Sequence, residues 1–308
     1  MVMSNSDRVT DYAKGVGLTA LGAFVMTFDT LLLRLIDGER WTVVFFRGVF
    51  MFLSIGAAWL LLRKKLGPEV GFINGLPGLL VATLYGLGSI FFVLALSHTN
   101  VANMLFIIAT APLFAAILSR FLLKENVSRA TWISIVSALG GILLVVKDGM
   151  VHGHWMGDAL ALLTAATMGS AFVATRWAGK NLFTAPAVGG LISAAIAVPL
   201  VEHFGFTMAA QWKYMGLEGA LVMPLALACI ATGPKYLPAP QVGLFLLLET
   251  VLGPLWVWLV LDEAPTTYSA LGGAVIVATL VLHSGYFLLK SKAVRGELAR
   301  ESVTPRRA

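Results

Sequence analysis

The stretch Val101-Ala-Asn-Met-Leu-Phe-Ile-Ile-Ala-Thr-Ala-Pro-Leu-Phe-Ala-Ala-Ile-Leu-Ser119, followed by Arg120-Phe-Leu-Leu-Lys-Glu125, decides the fold class. It runs for roughly 20 residues without a charge, enough to cross a hydrocarbon core of about 30 Å as a helix. Hydrocarbon offers backbone amides no hydrogen-bond partner, so such a segment must satisfy its own amides by coiling. A transmembrane barrel would show alternating segments of about 10 residues, and this stretch does not alternate.

Comparable runs fill the chain on both sides. The spans read as 12–36, 42–62, 72–96, 101–123, 129–147, 156–178, 185–204, 212–231, 240–261 and 267–289, an all-α integral membrane protein with ten transmembrane helices. Composition agrees: 58% of the 308 residues are hydrophobic, 12% are charged, and mean hydropathy is +0.85. A soluble domain carries about 25% charged residues, so this supply could not cover a water-facing surface. The partner implied is the lipid bilayer. Met1 to Lys14 are polar and no short apolar core with a cleavage site follows, so no signal peptide is expected. The single cysteine, Cys229, excludes an internal disulfide and reads as a small hydrophobe.

The basic residues set the orientation. With the N-terminus in the cytoplasm, 17 of the 22 Lys and Arg residues fall on inside segments, including Arg63-Lys-Lys65 and six in the tail after residue 289. The outer side keeps Arg34, Arg40, Arg47, Lys147 and Lys213. This is the asymmetry of the positive-inside rule, and it places both termini in the cytoplasm of a bacterial-type inner membrane. The net charge of +6 is then a topology signal, and no nucleic-acid partner is expected.

The chain also repeats. Pro112 stands as far before Glu125 as Thr250 stands before Glu263, at one common offset, and Asn103 and Gln241 share it. Arg34, ending the first span, matches Arg176, ending the sixth, at nearly the same offset. The expected organisation is a first five-helix repeat over 1–150, a second over 151–290 and a basic cytoplasmic tail over 291–308. Five is odd, so the second half enters the membrane upside down. Inverted repeats of this kind build many secondary transporters, with the substrate site near the midplane between halves.

Ala95-Leu-Ser-His-Thr-Asn-Val-Ala102, Pro112-Leu-Phe-Ala-Ala116 and Leu123-Lys-Glu125 resemble the first-repeat motif of the drug/metabolite transporter superfamily, EamA type. Pro238-Ala-Pro-Gln241, Leu248-Glu249 and Leu261-Asp-Glu263 resemble its second repeat, and Arg47 in Phe45-Phe-Arg-Gly48 matches an arginine common in its second helix. The resemblance covers roughly residues 12–289. It implies a ten-helix permease, with many members exporting amino acids and related metabolites. One departure is Thr250, where the second repeat usually has proline; here proline comes later, at Pro254, so a helix break in span 9 would be displaced.

Charges inside spans are costly and are functional candidates by default. Asp29 and Arg47 lie about 10 Å deep from the same outer side, on hairpin neighbours, which makes an ion pair between them the expectation. That pair is either a fixed clamp or a gate that opens to a zwitterion or a proton. Glu249 falls mid-span with no basic residue in its own helix, suited to carrying a proton, binding a substrate amine, or simply bonding a neighbouring helix as a neutral acid. Asn103 and Gln241 offer an amide in the fourth helix of each half, and Tyr85, Phe106, Phe245 and Trp258 could line a cavity. Arg34 reads as a snorkelling or gating residue, and Pro112 and Pro254 as helix-bending positions. Glu218 reads as a wet residue near the outer end of span 8, and Glu125 and Glu263 as helix-end residues.

No phosphate-binding glycine loop, serine elbow or zinc spacing occurs, so neither enzyme, metal nor cofactor is expected. The function expected is a secondary transporter of small organic metabolites by alternating access: an exporter of amino acids or similar amphipathic solutes, with protons as the candidate coupling ion. The alternatives are uptake or exchange of a vitamin, nucleotide sugar or organic cation, or a membrane scaffold or sensor without transport.

Overall fold

The computed structural model describes residues 5–66, 71–124, 129–151, 154–237, 242, 245–279, 281–282 and 286. Glu125, Gln241 and the tail after 290 lie outside the described residues, as do the remaining residues of the Pro238–Gln241 motif. Among the described residues every regular element is helical, with no strand.

The first span is two helices, α1 (Asn5–Met26) and α2 (Asp29–Ile36), followed by α3 (Arg40–Leu66) and α4 (Gly75–Leu96). The stretch beginning at Val101 is likewise divided, into α5 (Val101–Ile108) and α6 (Ala111–Leu122). Then come α7 (Arg129–Val151), α8 (Trp155–Ala178) and α9 (Ala185–Ala197), the last continued by a 3₁₀ turn at Val198–Leu200. Next are α10 (Ala209–Leu217), a π turn at Glu218–Val222 and α11 (Met223–Tyr236), which run as one rod. The chain ends its described part with α12 (Leu247–Leu261) and α13 (Thr267–Thr279). Among the described residues, six rods are long and apolar enough to cross a membrane: Lys14–Ile36, Arg40–Lys65, Gly75–Leu96, Val101–Leu122, Trp155–Ala178 and Ala209–Gly233. Shorter apolar helices cover Ala185–Leu200, Leu248–Leu261 and Thr267–Thr279.

The interruptions have chemical causes. Pro112 has no N–H for the Ile108 carbonyl and its ring crowds that turn, so the helix breaks at Ala109–Thr110 and Pro112 sits in the first turn of α6. Pro224, six residues after Glu218, also lacks an N–H, but there the rod continues, with a π turn in which the Met223 N–H donates to the Glu218 carbonyl. In the first span no proline is present; the Thr27 hydroxyl donates to the Phe24 carbonyl at 2.7 Å at the break. Pro254 behaves otherwise: α12 runs through it, and no break is displaced to that position.

Helices early in the chain pack on helices late in it. α1 lies along α11, α3 along α9, and α4 against both α8 and α9. Small residues permit the approach. A Cβ on Gly48 would stand 2.3 Å from the Gly190 carbonyl oxygen, and one on Gly86 would stand 2.6 Å from that of Gly189.

Candidate functional site

Arg47 of α3 and Asp29, in the first turn of α2, form the expected ion pair. Nη1 donates to Asp29 Oδ1 at 3.1 Å and Nη2 to Oδ2 at 2.9 Å, a two-pronged contact that suits a planar guanidinium. The break before α2 puts Asp29 at a helix N-terminus, where free N–H groups favour a carboxylate. Phe92 of α4 lies over the guanidinium at 5.3 Å.

Glu218 completes the cluster and corrects the sequence reading that left it wet. It is fully buried, with Oε1 3.1 Å from Arg47 Nη1. Two features deepen it. Helix α10 starts at Ala209, three residues before the expected span, and Glu218 opens the π turn. Arg47 thus meets one carboxyl from early in the chain and one from late in it. Asp29 is held by two hydrogen bonds from Arg47, whereas neither Glu218 oxygen accepts one from a described donor, and the Glu218 carboxyl lies within hydrogen-bonding reach of that of Asp29. Glu249, near the start of α12, is 2% exposed and stands within electrostatic range of Asp29 and Arg47, with Oε1 unbonded among the described residues. Three buried carboxyls therefore gather about one guanidinium.

A cavity adjoins this cluster, with about 390 Å³ free of atoms and space for a few water molecules. Arg47, Tyr85 and Ser89 line it, together with Met26, Met168 and Met223. Of the other expected site residues, Asn103 is buried in α5 and accepts a hydrogen bond from the Ser269 hydroxyl of α13. Phe106 and Trp258 come together with Pro254 in a different place, an apolar groove of about 740 Å³ between α5, α12 and α13. Trp258 is 50% exposed there, so it does not line the charged cavity. Phe245 packs beside the core that includes Tyr85 and Met223. Trp155 and Trp177 are exposed, as residues of an interfacial belt are. Trp256 instead stacks on Phe28 with ring centroids 5.6 Å apart and donates its indole N–H to the Thr27 hydroxyl, beside the break.

Arg34 is neither free nor simply snorkelling. Its Nη2 donates to Glu263 Oε1 at 3.1 Å and to the Thr99 carbonyl at 3.2 Å, and the same carboxylate oxygen accepts from the Val101 N–H. Glu263, expected as a helix-end residue, thereby ties the end of α12 to the end of α2 and the start of α5. Further bonds close the same end: Gln211 Nε2 to the Ile36 carbonyl and the Thr42 hydroxyl to the His203 carbonyl, both at 2.9 Å. Sequence reasoning missed the Arg34–Glu263 and Arg47–Glu218 contacts; the only signal was that all four residues are charged and lie in or beside spans.

The EamA-like transporter family matches residues 13–147 and again 155–285. An uncharacterized transporter, YdfC, of Bacillus subtilis (strain 168) is 29% identical over 188 residues, 58% of this chain and 60% of that protein's length. The pseudopaline exporter CntI of Pseudomonas aeruginosa is 26% identical over 275 residues, 87% of this chain and 94% of that one. A solved crystal structure superposes with a TM-score of 0.66 at 18% identity, covering 88% of this chain and 97% of its own, a likeness of fold. With the family matching both stretches of an all-helical, apolar chain, the conclusion is plain: this chain belongs to the EamA-like transporter family and is a multi-pass membrane transporter.

Proposed function

We propose that the chain is a secondary carrier made of two inverted five-helix halves, 1–150 and 151–290, that moves small organic metabolites by alternating access. In this reading it sits in a bacterial-type inner membrane with both termini cytoplasmic, and it exports amino acids or related amphipathic solutes in a proton-linked cycle. The observation that carries it is the buried cluster of Asp29, Arg47, Glu218 and Glu249 beside a cavity. Three ionised carboxyls on one guanidinium would leave negative charge uncompensated in a medium of low dielectric, at a cost of several kcal/mol. A proton or a substrate ammonium supplies the missing charge, and a substrate carboxylate can replace the loosely held Glu218 at Arg47.

Two observations support the inverted halves. The family matches each half separately. The packing also maps onto itself when the halves are exchanged: α1 on α11 corresponds to α8 on α4, and α3 on α9 corresponds to itself. The likeness to a protein named as an exporter supports the outward direction.

The test is reconstitution into liposomes with a panel of labelled metabolites, with and without a pH gradient. Amino acids should be carried, and an imposed gradient should drive their accumulation. Flux confined to vitamins, nucleotide sugars or organic cations replaces the substrate class. Absence of flux for every compound leaves a scaffold or sensor.

A further inference from the structure

At the Arg34 end an open pocket of about 630 Å³ lies between the end of α2, the start of α3 and the end of α4. Its lining comes from one stretch of chain, Leu33 to Ser97, and is not shared between early and late helices. Arg34, Asp37, Arg40 and Ser97 bring polar groups to it, and buried Leu33, Val43, Val93 and Leu96 supply an aliphatic part. Glu39, the carboxylate next to Arg40, is consumed in starting α3: it accepts from the N–H groups of Trp41 and Thr42 and from the Thr42 hydroxyl. Arg40 donates instead to His98 Nε2 at 2.9 Å, while His98 Nδ1 stands 2.6 Å from the Leu94 carbonyl. A carbonyl only accepts and a guanidinium only donates, so this imidazole carries its proton on Nδ1 and brings no charge to Arg40. Asp37, three residues earlier, makes no ion pair among the described residues, with Arg40 or any other. Arg34 gives its Nη2 to Glu263 and the Thr99 carbonyl, and its buried Nε–H has no partner among the described residues. The loop that sets these charges is held firmly. Asp37 has φ 42°, a left-handed conformation that aspartate and asparagine adopt more readily than most residues. Gln211 Nε2 donates to its carbonyl at 3.2 Å, and a Cβ on Gly38 would stand 2.7 Å from the Phe206 ring.

We infer that this pocket binds the headgroup of a zwitterionic aminophospholipid from the leaflet at the Arg34 end. The phosphate lies against Arg40 and the Arg34 Nε–H, and the primary ammonium lies against Asp37. The inference does not depend on what the carrier moves. Charge selects the ligand first. Arg34 is answered by Glu263, and Arg40 and Asp37 cancel without touching, so a ligand bearing both charges fits better than a simple anion or cation. Hydrogen bonding selects it next: guanidinium N–H groups suit phosphate oxygens, and a carboxylate accepts from an ammonium N–H. Place selects the source. The pocket lies where α2 and α4 end, and an apolar span ends at the headgroup layer, where basic pockets take lipid headgroups. Leu33, Val43, Val93 and Leu96 then meet the glycerol and first acyl carbons, which a small free zwitterion such as alanine lacks.

The full chain, delipidated in detergent, is dialysed to equilibrium against tritiated dihexanoyl lipids, and thermal unfolding of the empty protein is followed in parallel. Dihexanoyl phosphatidylethanolamine should bind about tenfold more tightly than the phosphatidylcholine, whose quaternary ammonium has no N–H for Asp37. It should exceed the phosphatidylglycerol, which has no cation, by about the same factor. Asp37→Asn keeps a residue suited to the left-handed backbone; it should weaken the ethanolamine lipid about tenfold and leave the choline lipid unchanged. Arg40→Gln should weaken both lipids about tenfold, because both carry the phosphate. Both side chains are exposed, so the empty variants should unfold at nearly the wild-type temperature. The inference is overturned if the three lipids bind alike, if Asp37→Asn keeps the preference for ethanolamine over choline, or if Arg40→Gln binds both lipids as the wild type does. Loss of binding accompanied by early unfolding of both empty variants would also overturn it, making the two charges structural. Displacement of the lipid by an equal concentration of alanine would assign the pocket to a free amino acid and overturn the lipid source.

Discussion

At Arg47 one guanidinium holds Asp29 by two hydrogen bonds and meets Glu218 across a looser contact, and the asymmetry separates what the residues do. Removing one partner of a buried pair leaves an uncompensated charge, which costs about 3–5 kcal/mol. Asp29→Asn and Arg47→Ala should therefore lower the unfolding temperature markedly. Glu218→Gln should leave it nearly unchanged, because the acid it removes is surplus to the single guanidinium. If surviving Asp29→Asn protein keeps wild-type substrate affinity, the pair is a clamp between helices and not a gate. Glu249 tests coupling: Glu249→Gln should abolish the pH-driven part of flux in liposomes, and full retention would sink its role as proton carrier. The Asp29–Arg47 pair was legible because equal depth on hairpin neighbours is a property of sequence spacing. Glu218 was not, because spacing from an assumed helix start cannot register an earlier start at Ala209 or the π turn before Pro224. Arg34 and Glu263 lie too far apart in sequence for any local pattern to join them.

Among the elements, apolar run length made the helices legible, and Pro112 marked the division between α5 and α6. The break between α1 and α2 carried no such mark, and Pro254 marked one that α12 does not make. A proline removes a hydrogen bond, but neighbouring helices decide whether the rod bends. What the elements need in order to pack is clearest at the glycine crossings. Gly189 of α9 would place a Cβ 2.6 Å from the Ala82 carbonyl oxygen and 2.9 Å from the Gly86 nitrogen, both backbone atoms of α4 that cannot swing aside. Gly189→Ala should force α4 and α9 apart, at an overpacking cost of about 1–3 kcal/mol. The same change at Gly17, which meets nothing within 4 Å, should cost much less. Thermal unfolding of the two variants in detergent makes the comparison, and equal losses would show that the close crossing is not what holds these helices together.

For the whole molecule, a set of polar contacts closes the Arg34 end. Arg34 bonds Glu263 and the Thr99 carbonyl, Gln211 reaches the Ile36 carbonyl, and Thr42 reaches that of His203; each links residues far apart in the chain. Under the proposed orientation this is the outer face, so the conformation is closed to the outside, and the bonds must break for solute to leave. The Arg34–Glu263 pair is partly exposed, at 28% and 30%, so in stability it is worth about 1 kcal/mol or less. Its weight lies in the balance between two conformations, where 1.4 kcal/mol changes a ratio tenfold. Arg34→Gln with Glu263→Gln keeps hydrogen-bonding side chains and removes the charge attraction. The pair of changes should leave the unfolding temperature almost unaltered while raising the outward-open population several-fold. With Cys229 replaced by serine, a cysteine placed by Ser89→Cys reports on the cavity. A membrane-impermeant thiol reagent added outside should label it faster in the double variant than with Arg34 and Glu263 intact. Unchanged labelling from outside, or faster labelling only in inside-out vesicles, would mean that this end is not the outer gate.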